Sequence, residues 1–531
     1  MPAHASAATT IACVSPIDGT HLGSVPVTAP EDVSAAVAEA AEVQHLWAQL
    51  RYADRARYLS RAAQAIIDEW DDLARIIVNE QGRPIAEAQT MELLPAVETL
   101  LWLAQNGPHI LGPERVGLSR TLQPAKRARL TFEPLGVVAV LTPGAEPFAT
   151  PLGDVAIALM GGNGVVLHPS PLAALAGARI ARAFMRAGLP EGLLQVVHGE
   201  PETARALVST PDIAHVRFTG SSQAGRDVGE ACARELKRAT IEVGGKDAML
   251  VLADANIPRA VGGAIWGAFA NAGQSGGSLA RAYVLEERFE RFLAGVVVRA
   301  RELRVGHPGE AGTEIGPLLA PDRVERLVAF IDEAVAAGAT LHCGGPATIA
   351  DRAGAFFAPA VLTGVPRDAR LLREDAPGPW IAIEAVASEQ AGIALCNEGI
   401  GGLGASVWTA DQYKGARVAR EIRAGMVWMN DHVIARTEPQ LPWGAVHGSG
   451  IGRARGVVAL RAMVEPKLVT WDPPAGRMPW WQPYDASLVG AWRALAQLRS
   501  ARDADRERGW RNGALPLARV AGRSLRAVRR R

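Results

Sequence analysis

Four short apolar runs, each ending at turn residues and spaced by other segments, constrain the fold of this chain most strongly. The runs are Gly136–Pro143, Asn163–Ser170, Leu194–Gly199 and His215–Ser221. Short, uninterrupted runs rich in β-branched residues predict strands that are buried on both faces. The stretches Leu172–Gly188 and Gln223–Arg238 are amphipathic and helical in pattern. Strands that alternate with helices predict a parallel, doubly wound sheet.

A second alternating set predicts another α/β domain. We expect strands near Ala248–Leu252, Arg281–Leu285, Trp380–Val386, Gly404–Trp408 and Gly425–Asn430, and helices near Ile257–Ala272, Asp322–Ala337 and Ala410–Arg423. Before the first set, Thr28-Ala-Pro-Glu31 has the pattern of a helix capping box, and helical patterns continue to about Leu111.

The distribution of charge separates the last segment from the rest of the chain. The whole chain of 531 residues carries +1, whereas residues 473–531 contain 13 Arg against four acidic residues. A near-neutral main body argues against a nucleic-acid surface there, although the basic tail could contact an anionic membrane or a protein partner. We expect a short helix over Ala486–Arg499, followed by disorder in the Arg-rich remainder.

The four cysteines, at positions 13, 232, 343 and 396, show no C-x-x-C or histidine-paired spacing. The sequence therefore predicts neither a disulfide framework nor a metal site. The amino terminus lacks the pattern of a signal peptide, and no uncharged apolar run reaches about 18 residues. These features favour a cytoplasmic protein.

Several separated motifs resemble, in order and spacing, the signatures of aldehyde dehydrogenases. They are Phe218-Thr-Gly-Ser221 followed by Gly225, Glu242-Val-Gly-Gly-Lys246, Asn271-Ala-Gly-Gln274, and Leu441-Pro-Trp-Gly444 with Gly448–Arg453. The resemblance extends from Ser15–Gly19 through Glu80–Pro84 to Pro466–Thr470 and excludes the tail. Each motif is weak alone, but the ordered set is specific to the family.

The resemblance implies an α/β fold of three parts. These are a Rossmann-like cofactor domain with the amino-terminal helices (1–243), a catalytic-type domain (244–434), and a small β oligomerisation arm made by strands at about 121–135 and within 435–472; residues 473–531 are the tail. It also implies a homodimer or homotetramer that binds NAD or NADP and a small aldehyde. In the family, a cysteine thiolate attacks the aldehyde, hydride passes to the cofactor, and a glutamate activates water.

The catalytic positions are only partly retained. Glu242 matches the glutamate that activates water, but Gly276 stands where the family has its nucleophilic cysteine, and Ala145 where it has the asparagine that donates to the oxyanion. The family's lysine further along this segment is replaced by Asp154, and its tryptophan by Gly144. Glycine cannot form a thioester, so the usual thiol mechanism is expected to fail.

The cofactor positions are altered in a similar way. The family's ribose-binding Lys and Glu are replaced by His168 and Pro171, and the glutamate near the second ribose by Asp375. These changes predict impaired binding of NAD or NADP. The residues carried over as cofactor-binding are Thr142, Pro143, His168, Ser170, Gly220, Ser221, Val243, Gly244 and Asp375.

Three functions fit this pattern. The chain could be a catalytically impaired homologue that acts as a binding or regulatory subunit. It could instead be a residual or altered enzyme, either an NAD(P)-linked oxidoreductase that works without a thioester intermediate or one that uses Glu242 for hydrolysis. Finally, the body could be a scaffold whose tail carries the function.

Overall fold

A computed structural model of the chain describes residues 10–119, 126–349, 354–399, 401–433, 438–472, 478, 480–482 and 484–526. The chain divides into two compact units, residues 1–112 with 132–465, and residues 113–131 with 466–531. In the first unit, mixed α/β architecture with two large, mainly parallel sheets confirms the predicted fold class. Across the described residues, no helix combines the length and the apolar character that spanning a membrane requires.

The first unit begins with a small antiparallel sheet and a layer of helices. These elements are β1 (Thr10–Val14), β2 (His21–Pro26), α1 (Val33–Ala48), α2 (Tyr52–Asp68), α3 (Trp70–Gln81), α4 (Ile85–Glu87) and α5 (Leu94–Ile110). The predicted capping box is wrong, because Ala29 is the N-cap of a short 3-10 turn and no side chain caps it. The Thr28 backbone instead donates to the His198 carbonyl and accepts from Thr203.

The first large sheet has six strands. They are β5 (Val137–Leu141), β6 (Gly164–His168), β7 (Leu194–Val196), β8 (Ile213–Gly220), β9 (Arg238–Val243) and β17 (Gly450–Ile451), with helices α6 (Ala149–Gly161), α7 (Ala174–Arg186), α8 (Pro201–Ser209) and α9 (Ser222–Arg234). Their order is β17-β9-β8-β5-β6-β7, with only β17 antiparallel. The helix predicted over Gln223–Arg238 is too long, since Leu236 is left-handed (φ 54°) and Arg238 already belongs to β9.

The second large sheet has seven strands. They are β10 (Asp247–Val251), β11 (Leu279–Leu285), β12 (Thr340–Pro346), β13 (Phe357–Thr363), β14 (Trp380–Val386), β15 (Gly404–Trp408) and β16 (Met426–Met429), with helices α10 (Ile257–Phe269), α11 (Glu286–Glu302), α12 (Pro321–Ala336), α13 (Arg370–Arg373), α14 (Glu389–Cys396) and α15 (Gln412–Glu421). The later helix α16 (Gly456–Ala462) packs on α5 and α6 instead. The order is β12-β13-β14-β11-β10-β15-β16, with β12 antiparallel to β13. All five predicted strands are confirmed; β12 and β13 escaped prediction, since glycine and proline interrupt the pattern of β12 and a proline interrupts that of β13.

The second unit contains a three-stranded sheet and a pair of helices. Its elements are β3 (Glu114–Val116), β4 (Arg127–Pro134), β18 (Val464–Trp471), α17 (Ala486–Leu498) and α18 (Asp503–Arg526). The sheet order is β18-β4-β3. The predicted strand at 121–135 is present from Arg127, while residues 120–125 lie outside the described part.

The disorder predicted after Arg499 is wrong, because residues 503–526 form the helix α18. Gly509 and Gly513 lie one turn apart on α18, and a Cβ at Gly513 would be 2.1 Å from the Cβ of Ala494 on α17. These glycines therefore let two helices pack closely instead of marking a disordered segment. The predicted contact of this segment with a membrane or a protein partner stays a prediction.

Candidate functional site

A cleft of about 300 Å³ opens in the first unit beside the carboxyl ends of β8 and β9. Its lining comes from segments far apart in the sequence: Pro143–Glu146, Thr219–Ser221, Glu242–Lys246, Gly273–Gly276, Ser278–Ala280, Arg323, Asp375–Gly378 and Trp380. The cleft thus brings together nine of the twelve predicted site residues, namely Pro143, Ala145, Gly220, Ser221, Glu242, Val243, Gly244, Gly276 and Asp375. Thr142, His168 and Ser170 do not line it.

The loop that carries Gly276 follows a strained turn. Asn271 and Ala272 have left-handed backbone angles, with φ of 55° and 48°. The Asn271 backbone N–H donates to Glu87 at 2.9 Å, which holds the turn in place. A Cβ built at Gly276 would be 3.9 Å from its nearest neighbour, Leu403. The loop therefore has room for a side chain at Gly276, the predicted nucleophile position.

A buried ion pair holds the loop that carries Ala145. Arg83 and Glu92 lie 2.9 Å apart, and both side chains are completely buried. Arg83 donates to the Ala145 carbonyl at 2.7 Å, and Glu92 accepts from the Phe148 and Ala149 backbone N–H groups. The Ala145 methyl group offers no hydrogen-bond donor to an oxyanion. The motif Glu80–Pro84 contains Arg83, but the sequence alone did not indicate that Arg83 joins this network.

The carboxylate of Glu242 is fixed at the end of β9. Glu242 is 8% exposed, and its Oε1 accepts a 2.7 Å hydrogen bond from the indole Nε1 of Trp443. Glu242 also lines a second, smaller cavity of about 20 Å³, together with Glu146, Asp154, Trp443 and Arg455. That volume is enough for a single water molecule. Water beside this carboxylate would suit the predicted general base.

Asp154, which replaces a lysine of the family, has a partner of its own. It forms a buried ion pair with Arg217 of β8, whose side chain is 1% exposed. Arg217 also donates to the Ala454 carbonyl at 3.1 Å. Burial raises the pKa of the Asp154 carboxyl, while the neighbouring Arg217 acts in the opposite direction. An arginine within a predicted buried strand could have indicated this pair from the sequence, but Arg217 was not among the predicted site residues.

The turn at Gly220 and Ser221 suits a phosphate group. Ser221 is the N-cap of α9 and accepts from the Ala224 N–H, so the helix amino terminus lies at the cleft. Such an end attracts anions. A Cβ at Gly225 would be 2.4 Å from Val243, so this glycine lets α9 pack closely on β9.

The predicted ribose ligands fit a dinucleotide less well. His168 is buried, and burial lowers the pKa of its imidazole, which is therefore neutral. Ser170 accepts from the Leu172 N–H. Both carboxylate oxygens of Asp375 already accept hydrogen bonds from Ser222. The residues present therefore fit the phosphates of NAD or NADP but not its riboses in the family's manner.

The four thiols of the chain lie outside both cavities. Burial raises the pKa of Cys13 to about 11, with Glu80 adding to the effect, and that of Cys396 to about 12. Burial also raises the pKa of Cys232 and Cys343. At neutral pH these thiols are protonated and are poor nucleophiles.

One lysine in the cleft was not among the predicted site residues. The Lys246 ammonium lies over the Trp380 ring, 4.8 Å from its centroid, and the Lys246 carbonyl accepts from Arg281 at 2.9 Å. The sequence could have indicated this lysine, because it occupies the last position of the motif Glu242–Lys246. Among the described residues, no group of three or more His, Cys, Asp or Glu side chains could hold a metal ion.

Comparison with known proteins gives consistent matches over most of the chain. Residues 3–469 match the family model described as the aldehyde dehydrogenase family. The 4,4'-diapolycopene aldehyde oxidase of Methylomonas sp is 34% identical over 506 residues, which cover 95% of this chain and 94% of that protein. The phenylacetaldehyde dehydrogenase of Pseudomonas fluorescens is 35% identical over 458 residues, with 85% and 90% covered.

Solved structures agree with these matches. The aldehyde dehydrogenase of Mycobacterium tuberculosis, complexed with NAD+, superposes with a TM-score of 0.83 at 31% identity. The superposition covers 88% of this chain and 95% of that chain. An aldehyde dehydrogenase from Brucella melitensis gives the same TM-score and identity, with 87% and 94% covered.

Proposed function

Since the chain belongs to the aldehyde dehydrogenase family, whose reaction is the NAD(P)-dependent oxidation of an aldehyde to an acid, we propose that this member has lost the thiol-dependent reaction and acts as a binding or regulatory subunit. The observation that carries the proposal is Gly276, in a cleft to which no cysteine contributes. The loss of an oxyanion donor at Ala145 adds to the impairment.

Aldehyde turnover by the purified protein tests this proposal. We expect no formation of NADH or NADPH above background with phenylacetaldehyde, using the Pseudomonas fluorescens relative as the positive control. Robust turnover would overturn the proposal. In that case Glu242→Gln should abolish the activity if the carboxylate hydrolyses the intermediate, whereas an unchanged rate would remove Glu242 from the mechanism.

We further propose that NAD and NADP bind weakly, because His168 and Pro171 stand where the family has ribose-binding Lys and Glu. Restoring both residues with His168→Lys/Pro171→Glu should tighten binding by about tenfold or more, since a charged hydrogen bond contributes about 1.5–3 kcal/mol. Isothermal titration with NAD and NADP measures the change. Pro201→Glu, also at the first position of a helical turn, is the matched control and should leave the affinity unaltered. Equal affinities of the double variant and the unmodified chain would contradict this explanation.

The homodimer or homotetramer remains a proposal, supported by the second unit. β18 is an edge strand, and its Leu468 and Trp471 are 60% and 53% exposed. An exposed apolar edge is suited to pairing with a second copy of the chain. Leu468→Lys should therefore reduce the molar mass measured by light scattering to that of one chain. Val458→Lys, which changes an exposed valine of α16, should not. A monomeric unmodified chain would contradict the proposal.

A further inference from the structure

The amine of Lys246 has surroundings unlike those of Lys126, Lys237 and Lys414. The chain has five lysines. Lys126 pairs with Asp472 at 2.8 Å, Lys237 donates to the Val208 and Thr210 carbonyls, and Lys414 lies 3.6 Å from Asp254. Lys246 instead rests on the face of Trp380 within the cleft. Among these four lysines, Lys246 is the one that lines the cleft.

The position of Lys246 places its amine in the cavity that the missing thiol would have served. The backbone N–H of Gly245, its neighbour, donates to the Gly276 carbonyl at 3.3 Å. Both Lys246 and Gly276 line the same cleft of about 300 Å³. The residue before Lys246 is therefore hydrogen-bonded to Gly276, and Lys246 and Gly276 line one cavity that is large enough for a small aldehyde.

The electrostatic setting makes this amine a better nucleophile than an exposed lysine. Burial lowers the pKa of Lys246 to about 8; Asp375 and Glu374 oppose the shift, and Arg281 and Arg326 reinforce it. At pH 7 about a tenth of such amines are neutral, compared with about one in a thousand for an ordinary lysine. Lysines desolvated in this way form Schiff bases with carbonyl compounds.

We propose that Lys246 captures an aldehyde reversibly as an imine, in the cleft where the family's thiol would have attacked it. The amine nitrogen bonds to the carbonyl carbon, the carbonyl oxygen takes up a proton, and the resulting carbinolamine loses water as the second nitrogen proton leaves. One aldehyde and one amine thus give one imine and one water molecule, without an oxidant, and hydrolysis reverses the step. Glu242, Glu146 and Asp375 line the same cleft, and these carboxylates can exchange the protons.

This inference rests on the proposal that the chain binds aldehydes without oxidising them. It gives that binding a chemical basis, which is a reversible covalent bond, and a ligand class, which is the small aldehydes. Neither the covalent bond nor the ligand class depends on NAD or NADP. Its failure can therefore be distinguished from failure of the proposed function, because the first is read as a change in mass and the second as formation of NADH or NADPH.

Trapping with borohydride tests the inference on the full-length chain. The protein is incubated with phenylacetaldehyde, reduced, and analysed by intact mass and peptide mapping. We expect one added group per chain, located at Lys246, with labelling at least tenfold above that of any other lysine. Lys246→Arg, which keeps the charge, should reduce single-site labelling at least tenfold. Lys414→Arg, which removes a partly exposed lysine on α15, is the matched control and should leave the yield unchanged.

Two further readouts keep the test decisive. The thermal midpoint of Lys246→Arg should match that of the unmodified chain, and if it does not, Lys246→Met provides the same comparison with a side chain of similar length. Labelling should also rise as pH increases from 6.5 to 8.5, as the amine of Lys246 loses its proton. Labelling spread evenly over the five lysines, or undiminished in both variants, would overturn the inference.

Discussion

Gly276→Cys is expected to yield a folded protein with an accessible thiol that still reacts at least about a hundredfold more slowly than Gly276→Cys/Ala145→Asn. The Gly276 loop has room for the new side chain, since its Cβ position lies 3.9 Å from the nearest neighbour. Loss of one oxyanion donor costs about 10²–10³ in rate. Only the double variant provides both the nucleophile and the donor, with Glu242 in place as the general base.

Hydrolysis of an activated aryl ester is the appropriate measurement, because it needs the nucleophile, the oxyanion donor and the carboxylate but no NAD or NADP. Alkylation by iodoacetamide confirms that the new thiol is accessible. Ser278→Cys places a thiol in the same cleft two residues further on, and as a matched control it should give no comparable hydrolysis. If Gly276→Cys alone were as fast as the double variant, Ala145 would not explain the impairment.

Asp154→Lys, which restores the family's residue, is expected to destabilise the protein by at least about 3 kcal/mol. It would leave Arg217 buried without its anion and add a second cation beside it. Breaking a buried ion pair by removal of one partner costs about 3–5 kcal/mol. Since Arg455 also acts on Asp154, the substitution would place a third cation near Arg217 and Arg455.

Equilibrium unfolding in urea measures the free energy of unfolding of each variant. Asp154→Leu/Arg217→Leu removes both charges and should cost far less than Asp154→Lys, because no uncompensated charge remains. Asp72→Lys changes an exposed pair in which Asp72 and Arg75 are each 66% exposed, and it should shift the free energy by less than about 1 kcal/mol. An Asp154→Lys variant as stable as the unmodified chain would show that the pair is not needed for stability.

Most of the fold could be predicted from local sequence. The strands Trp380–Val386 and Gly404–Trp408 were located to the residue, because uninterrupted apolar runs identify strands that are buried on both faces. The failures had local causes. Glycine and proline interrupt the strand pattern of β12. Gly509 and Gly513 gave the last segment a pattern typical of disorder, whereas in the structure they permit two helices to pack closely.

The residues of the site could also be predicted only in part. The resemblance of the ordered motifs aligned Glu242, Gly276 and Ala145 with family positions, and the structure brings all three to one cleft. The partners of these residues could not be read from spacing. Trp443 lies 201 residues from Glu242, and Arg217 lies 63 residues from Asp154.

The sequence by itself determined the family and the absence of a thiol at position 276, because both depend only on which residues occupy ordered positions. The tertiary structure decided which charges are paired and which groups remain reactive. Arg217 compensates Asp154, Trp443 fixes Glu242, and the ammonium of Lys246 lies over the ring of Trp380. The reactivity of an ionisable group depends on burial and on nearby charges, and these neighbours come from distant parts of the chain that only folding brings together.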